Sequence, residues 1–431
     1  MSGDKFDTLR IHAGYEPSNH QYASSVPIYQ TAAFGLGNTN TAEKIASGEK
    51  KGFSYSRVGN PTVRVLEERI ATLEGGVGAV AVGSGMAAIS YAILNVAEGG
   101  GRIIASTNIY GASLDEFRIL MPKFNIEFDL YDNVNDLNKI SALIQPDTKA
   151  IYVESVANPS TEIADIEKLA EIAHSNGIPL IVDNTFPTPY LFRPFEFGAD
   201  IVVYSSTKGI NGHGNVISGM LVDHGQFNWE NGNFPQFTEK EFILGNEEQK
   251  ITKSFVEKFG NKAFIARTRM KYLRLFGSVL SPFDAYLVLN GLETISERLT
   301  KEVSNASQIA RYLKTNKCVK QVYYTGIDQD NKLVKKYFPR GIGAILAFEF
   351  TGDEDQVFKL LNAVKIFTYL PNVGDVRSLI VNPGRITHRE IPGEIKEKHD
   401  LNNQVIRLSI GLEDVADLIS DLDQAINIAI E

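Results

Sequence analysis

The chain has few of the residues on which disulfide and metal scaffolds depend. Among its 431 residues there is one cysteine, Cys318, which has no partner for an intrachain disulfide. A disulfide framework and a cysteine-based zinc site are therefore excluded. The seven histidines form no pair at ligand spacing, and H-E-x-x-H does not occur, so we expect no metal site.

The sequence also lacks a surplus of basic residues. Lys and Arg together number 43 against 52 Asp and Glu, which gives a formal net charge of −9. This acidic balance argues against general attraction to nucleic-acid phosphates or to anionic membranes, so we expect neither partner. At about 150 residues per domain, the length suggests two or three domains.

One uncharged stretch, residues 75–97, is long enough to cross a bilayer. Its clustered glycines would break a spanning helix, so it predicts a strand at 77–82, a glycine turn and a buried helix from Met86. The first residues, MSGDKFDTLRIHAG, include acidic side chains and no apolar stretch of signal-peptide length. We therefore expect a cytoplasmic protein.

From about Gly75, short apolar runs alternate with amphipathic segments such as 163–175. The runs are VGAVAV, RIIAS, AIYVES, PLIVDN and DIVVYSS. Continuous apolar strands separated by helices predict an α/β fold with a parallel sheet covered on both faces. Ligands bind at the carboxyl ends of the strands in such sheets, so we expect the functional residues there.

The remaining sequence suggests three segments. Residues 1–60 look like an extended N-terminal arm, 61–280 form the main domain, and 281–431 form a smaller C-terminal domain. The polar stretch 223–264 is interpreted as a surface insertion. A long helical pattern from Ala285 leads into strands at AILAFEF and VIRLSIG and a final helix from Asp414.

Two strand ends carry residues suited to an aldehyde cofactor. Lys208 follows an apolar strand beside hydroxyls and glycines, where desolvation could lower its pKa and free the amine for a Schiff base. A lysine that only ends a strand and faces water is the alternative. Asp183 closes PLIVD and could hold a ring nitrogen protonated, or it could simply cap a loop.

Other residues could hold a phosphate and a planar ring. Gly85 and Met86 begin a helix after a glycine turn, where backbone N–H groups favour an anion. Ser205 and Thr207 could add hydroxyls, and Tyr110 could stack on a ring. Pyridoxal phosphate requires this set of groups.

The glycine turn has a competing interpretation as a dinucleotide site. Gly83-Ser84-Gly85-Met86-Ala87-Ala88 satisfies the looser form of the fingerprint G-x-G-x-x-A. The second strand ends Ala105-Ser106-Thr107, without the acid that would hold a ribose. A nicotinamide enzyme is therefore disfavoured.

Over nearly its whole length the chain resembles the pyridoxal-phosphate enzymes of cysteine and methionine metabolism. The motifs that carry the resemblance are YSRVGNPT, SGMAAI, ESVANPS, VDNTF, SSTKGINGHG and RLSIGLED. The resemblance implies the aspartate-aminotransferase fold, with a mainly parallel sheet in a cofactor-binding domain and a smaller α+β C-terminal domain. It also implies pyridoxal 5'-phosphate as the cofactor.

The resemblance assigns roles position by position. Lys208 matches the lysine that binds the cofactor and moves protons, Asp183 the partner of the ring nitrogen, and Tyr110 the stacking tyrosine. The remaining matches are the phosphate cradle (Gly85, Met86, Ser205, Thr207), a pair that reaches a neighbouring subunit's phosphate (Tyr55, Arg57), and residues for the substrate carboxylate or the cofactor ring oxygen (Asn158, Ser378, Arg407). A shared site implies at least a dimer, and in the family usually a tetramer.

Within the family the chain is most similar to the O-acetylhomoserine sulfhydrylases. The similarity lies in the 223–264 insertion and in the stretch NVGDVRSLIVNPGRITHRE, although Asn382, Gly384 and Arg385 replace the expected His, Ala and Ser. The implied reaction joins O-acetylhomoserine with sulfide or a small thiol. Cystathionine γ-synthase, a γ-lyase, an O-succinylhomoserine enzyme and a non-catalytic oligomer remain open. No cysteine follows Tyr110 closely, which weakly disfavours methionine γ-lyase.

Overall fold

The structure, a computed structural model, describes residues 4–246, 251–386, 393–394, 399 and 402–431. In chain order its strands are β1 Gly78–Val82, β2 Gly101–Ser106, β3 Ile126–Tyr131, β4 Thr148–Glu154, β5 Leu180–Asp183, β6 Ile201–Tyr204, β7 Gly219–Asp223, β8 Glu241–Asn246, β9 Ile251–Lys253, β10 Val319–Tyr323, β11 Ile345–Phe350, β12 Thr368–Tyr369, β13 Leu379–Val381 and β14 Val405–Ser409.

The α-helices of the described residues range from single turns to 21 residues. In chain order they are α1 Phe6–His12, α2 Thr39–Ser47, α3 Pro61–Glu74, α4 Gly85–Val96, α5 Gly111–Asp115, α6 Leu137–Leu143, α7 Ile166–Ser175, α8 Thr188–Leu191, α9 Pro235–Thr238, α10 Phe255–Phe259, α11 Ala263–Arg267, α12 Arg274–Phe276, α13 Pro282–Leu292, α14 Ile295–Thr315, α15 Lys332–Tyr337, α16 Glu354–Ala363 and α17 Val415–Ile430.

The chain divides into two compact units, each made of separate segments. Unit 1 comprises residues 1–98, 200–207 and 215–293, and unit 2 comprises 99–199, 208–214 and 294–431. The chain passes from unit 1 to unit 2 between Thr207 and Lys208. The expected boundaries at residues 60 and 280 stay a prediction.

In unit 2 the strands β5, β4, β2 and β3 lie side by side in that order, and each pair is parallel. In unit 1 β7 pairs antiparallel with both β1 and β6. The predicted strands β1, β2, β4, β5 and β6 are confirmed, whereas β3 and β7 were not among the predicted runs. The β4–β5 register places Glu154 opposite Asp183 at the carboxyl ends of their strands.

A second sheet in unit 2 has the order β10, β11, β14, β13, β12. The strands expected at AILAFEF and VIRLSIG are β11 and β14, which pair antiparallel. Because β14 is central and buried on both faces, Arg407 on that strand lies in the interior. The two sheets and the helices that alternate with their strands therefore confirm the expected α/β fold class.

Helix boundaries follow from local chemistry. Ser84 caps α4 by accepting a hydrogen bond from the backbone N–H of Ala87 at 3.1 Å. Asp414 caps α17 in the same way, so the predicted final helix begins one residue later. The long pattern from Ala285 is two helices, α13 and α14, because the first ends at Leu292.

The segment 223–264 was expected to be a surface insertion, but part of it is buried. Its Trp229 stacks on Phe237 with ring centroids 4.3 Å apart, and on Phe264 at 5.5 Å. Phe234 packs edge-on against the same indole at 5.1 Å. All four rings are buried, so this part of the segment belongs to the core of unit 1.

No helix among the described residues has the length and apolar character of a membrane span. The uncharged stretch 75–97 instead contains β1 and α4, as predicted.

Candidate active site

The start of α4 and the chain after β6 form a narrow cradle in unit 1. A Cβ atom added to Gly85 would lie 2.6 Å from Cβ of Ser205, closer than real side chains allow. Glycine therefore lets the first turn of the helix approach Ser205. Backbone N–H groups at the positive end of a helix attract anions, so the cradle suits a phosphate at Gly85 and Met86.

Thr207 anchors the chain just before Lys208. Its backbone N–H donates to the carbonyl of Ser218 at 3.2 Å, and its hydroxyl accepts from the Ser218 N–H at 2.8 Å. The same hydroxyl lies 3.1 Å from the Ser218 carbonyl. These contacts hold the end of β6 against the residues before β7, and a phosphate contact of Thr207 stays a prediction.

Tyr55 and Arg57 lie near each other on the surface of unit 1. The Arg57 guanidinium lies 5.4 Å from the centre of the Tyr55 ring and donates to the carbonyl of Arg274. The tyrosine is 46% exposed. Both groups are thus accessible, as a contact with another subunit's phosphate would require.

Lys208 lies in unit 2 with its amine largely enclosed by protein. Nζ donates a hydrogen bond to Oδ1 of Asn372. Burial, with a smaller contribution from the positive charge of Arg407, lowers the pKa of Lys208 to about 8. The interpretation as an ordinary lysine facing water is therefore not supported.

Arg407 also contacts Asn372, the residue that accepts the hydrogen bond of Lys208. Its Nη1 donates to Oδ1 of Asn158 at 3.2 Å, and its Nη2 approaches the carbonyl oxygen of Asn372 at 3.4 Å. Burial lowers the pKa of Arg407 to about 10, so it stays protonated near neutral pH. A buried guanidinium without a bonded carboxylate among these contacts suits a bidentate carboxylate ligand.

Asp183 is enclosed by hydroxyl groups at the end of β5. Oδ1 accepts from the hydroxyl of Thr185 at 2.5 Å and from its backbone N–H at 3.0 Å, while Tyr152 reaches Oδ2 at 3.3 Å. Burial raises the pKa of Asp183. A cationic ring nitrogen beside it would compensate by favouring the ionised carboxylate.

Tyr110 is the residue before the first turn of α5, and it is 42% exposed. Its backbone N–H donates to Oε1 of Glu154 at 2.7 Å. The ring is therefore presented from a fixed backbone, which suits stacking on a planar ligand.

Ser378 has a different environment from the other candidates. It is fully buried, and its hydroxyl donates to Oε2 of Glu413 at 2.8 Å and accepts from the N–H of Gly411 at 2.9 Å. These bonds fix the position of Ser378, the residue that precedes β13. Its assignment to the substrate stays a prediction.

Asn382 and Arg385, which differ from the residues expected in the family, make local contacts in unit 2. The Asn382 amide donates to the carbonyl of Asn403 at 2.6 Å, and Arg385 pairs with Glu354. Most of the ITHRE sequence that follows Arg385 lies outside the described residues.

Two residues of the site were not predicted. Asn372 contacts both Lys208 and Arg407, and Glu154 holds the backbone of Tyr110. Both lie inside quoted motifs, NVGDVRS and ESVANPS, but a motif does not reveal which neighbour each side chain meets.

Each unit has residues that fit a part of pyridoxal phosphate. In unit 1 the Gly85 cradle suits a phosphate, and in unit 2 Asp183 is a half-buried acid suited to a ring nitrogen, while the pKa of Lys208 is lowered to about 8. Among the described residues, no cluster of three or more His, Cys, Asp or Glu side chains is arranged for a metal ion.

The cradle predicts a phosphate-specific defect in Gly85→Ala. Overpacking against Ser205 costs about 1–3 kcal/mol, so pyridoxal phosphate should bind roughly 5- to 150-fold more weakly. Pyridoxal, which lacks the phosphate, should lose little affinity. Fluorescence titration of the apoenzyme measures both. Gly35→Ala is the matched control, because nothing lies within 4 Å of its Cβ; an equal loss with both ligands would contradict the assignment.

The lowered pKa of Lys208 predicts how its attachment to the cofactor depends on pH. The rate should rise with pH through a midpoint at about 8, because only the neutral amine attacks an aldehyde. Arg407→Gln removes a neighbouring positive charge and should move the midpoint upward. Stopped-flow absorbance of apoenzyme mixed with pyridoxal phosphate reports the rate. A midpoint near 10 in the unaltered chain would refute the assignment.

Known proteins are similar to this chain over nearly its whole length. The family model described as Cys/Met metabolism PLP-dependent enzyme matches residues 7–427. A homocysteine synthase of Schizosaccharomyces pombe is 38% identical, with 100% of both chains covered. An O-acetyl-L-homoserine sulfhydrylase of Leptospira meyeri is 37% identical, covering 98% of this chain and 96% of its own.

A crystal structure of a putative O-acetylhomoserine (thiol)-lyase from Campylobacter jejuni has the same fold. It superposes with a TM-score of 0.93 at 34% identity, covering 98% of this chain and 100% of its own, and it contains a pyridoxyl-lysine monophosphate. With a family match over nearly all its residues, the chain belongs to the Cys/Met metabolism family of pyridoxal-phosphate-dependent enzymes.

Proposed function

We propose that the protein converts O-acetylhomoserine and sulfide to homocysteine and acetate, and that a small thiol such as methanethiol replaces sulfide to give methionine. The observation that carries the proposal is the link through Asn372 between a lysine amine of lowered pKa and a buried guanidinium. Chemistry on an amino acid requires a base and a group that binds its carboxylate, and these two side chains suit those roles.

Arg407 binds the substrate's α-carboxylate. Two of its donors contact Asn158 and Asn372, which fix the plane of the guanidinium, while others stay available for two parallel bonds to the ligand. Holding the carboxylate orients the amino acid, so that its Cα–H bond is presented to the base.

Lys208 moves the protons. Its neutral amine removes the proton from Cα and then one from Cβ, which allows acetate to leave Cγ. Sulfide adds at Cγ, and the two protons return to Cβ and Cα to give homocysteine. General acid–base transfer of this kind contributes roughly 10²–10⁴-fold. When bound, pyridoxal phosphate would supply the electron sink that makes the Cα–H and Cβ–H bonds acidic enough to ionise.

Asp183 and Tyr110 prepare the site for this chemistry. Asp183 pairs with the ring nitrogen and keeps it protonated, while Thr185 and Tyr152 hold the carboxylate in place. Tyr110 presents an exposed ring from a backbone fixed by Glu154, and it covers the face of the cofactor.

The relatives support the choice of substrate. Their names specify homocysteine synthesis and O-acetylhomoserine sulfhydrylation, and the similarity extends over whole chains. A cystathionine γ-synthase, a γ-lyase or an O-succinylhomoserine enzyme would use the same cofactor residues, so the substrate assay has to distinguish them.

The purified enzyme with pyridoxal phosphate should form homocysteine and acetate from O-acetylhomoserine and sulfide. Mass spectrometry should show little cystathionine with cysteine as acceptor, and weaker turnover of O-succinylhomoserine. Lys208→Ala should lose about 10²-fold or more, because the base is absent. Dominant cystathionine or 2-oxobutanoate would instead assign the chain to another reaction. Absence of turnover with every donor, despite bound cofactor, would favour a binding protein.

We propose in addition that the enzyme is a homotetramer built from dimers with shared active sites. The exposed Tyr55 and Arg57 support this, because their aromatic and cationic groups suit a neighbouring subunit's phosphate. Leu275 and Phe276 follow Arg274, whose carbonyl accepts from Arg57, and both are strongly exposed in the single chain. Exposed apolar side chains of this size are typical of subunit interfaces.

Shared sites predict complementation between inactive variants. Arg57→Ala and Lys208→Ala should each be inactive or nearly so alone. After mixing and reassociation, roughly a quarter of the sites combine an intact Lys208 with an intact Arg57. Activity should recover to about a quarter of that of the unaltered enzyme. Light scattering should give the mass of a tetramer. Hybrid tetramers without any recovery would show that each site belongs to one chain.

A further inference from the structure

Glu154 is the last residue of β4, and no proton transfer in the proposed reaction uses its carboxyl group. It lies opposite Asp183 in the parallel pair β4–β5, and only 8% of the residue is exposed. Two carboxyl groups on neighbouring strand ends, away from water, are an unfavourable arrangement if both are charged. The position therefore requires a physical explanation.

The contacts of Glu154 are with residues of the site. Oε1 accepts the backbone N–H of Tyr110 at 2.7 Å, and the carboxyl group also accepts the backbone N–H of Asn158. Asn158 in turn accepts a hydrogen bond from Arg407. One side chain thus fixes both the ring-stacking residue and a residue bonded to the carboxylate-binding guanidinium.

The charge state of Glu154 follows from its surroundings. Burial, followed by the negative charge of Asp183, raises the pKa of Glu154 well above its usual range, and the two N–H donors offset this only in part. Tyr152, which is buried and whose pKa is raised well above normal, lies beside the pair, and the buried carboxyl of Glu116 also acts on Tyr152. Among these contacts no cation compensates a second negative charge.

We propose that Glu154 is a positioning residue that works in its protonated form: its carboxyl oxygen anchors the backbones of Tyr110 and Asn158, and its proton leaves the negative charge of the pair on Asp183. The inference rests on the proposed pyridoxal-phosphate chemistry, in which Asp183 has to be ionised. A protonated carboxyl still accepts through its remaining lone pairs, so both N–H bonds are kept.

This arrangement matches the charge that the cofactor brings. A protonated ring nitrogen carries one positive charge, which one ionised carboxylate neutralises. A second charge on Glu154 would repel the first in a poorly solvated site, whereas a neutral Glu154 supplies the same hydrogen bonds without that repulsion.

Amide and alanine variants separate the two parts of the role. Glu154→Gln mimics the protonated carboxyl and should keep kcat, KM and cofactor affinity within about threefold of the unaltered enzyme. Glu154→Ala leaves buried N–H groups without an acceptor and should lower kcat roughly 5- to 100-fold, with the fold retained by circular dichroism. A glutamine variant as damaged as the alanine variant would overturn the proposal, since it would require the charged form.

Infrared difference spectroscopy tests the proton directly, in apoenzyme and without any substrate. The unaltered protein should show the C=O band of a protonated carboxyl at the pH of the activity assay, Glu154→Gln should lack it, and the band should persist when pyridoxal phosphate binds. Absence of that band would overturn the protonated form even if homocysteine synthesis were demonstrated. The band would equally be seen if the substrate assignment failed, so the two outcomes are distinguishable.

Glu162→Gln is a matched control, because Glu162 is another carboxyl of unit 2 whose pKa burial raises and which accepts a hydrogen bond, from Asn108 at 2.9 Å. It should leave cofactor affinity and kcat unchanged. A loss equal to that of Glu154→Ala would attribute the effect to general packing of this region and would overturn the specific role of Glu154.

Discussion

The largely enclosed amine of Lys208 is the constraint on which the site depends. An ammonium ion removed from water is costly unless a negative group compensates it, and its described hydrogen-bond acceptor, Asn372, is neutral. With Arg407 as a nearby positive charge, the neutral amine is favoured further. Packing thus lowers the pKa of this amine to about 8, which suits the proposed roles of nucleophile and base.

The strand ends provide the rigid support for this chemistry. Asp183 and Glu154 end adjacent parallel strands, and β14 holds Arg407 between two neighbouring strands. Backbone hydrogen bonds fix the register of a sheet, so side chains at strand ends are placed with little freedom. Functional groups positioned in this way lose little entropy when a ligand binds.

Acids in the same unit take different roles because their surroundings differ. Asp183 is held by hydroxyl and N–H donors and can become the partner of a cation, whereas Glu154 bonds to two backbone N–H groups beside that charge. The distinction between the two acids is electrostatic. The contacts of the site join residues far apart in sequence, such as Tyr110 with Glu154 and Lys208 with Asn372. Such pairs cannot be deduced from any single motif.

The sequence by itself determined the alternation of strands and helices, the placement of Asp183 and Lys208 at strand ends, and the glycine turn before α4, because apolar periodicity and turn chemistry are local properties. It did not predict β7, an antiparallel strand at the end of a glycine-rich segment, or the buried aromatic cluster around Trp229. The tertiary structure alone decided which side chains meet Lys208, Arg407 and Tyr110, since burial and long-range contact set the pKa values and hydrogen bonds that make these residues a site.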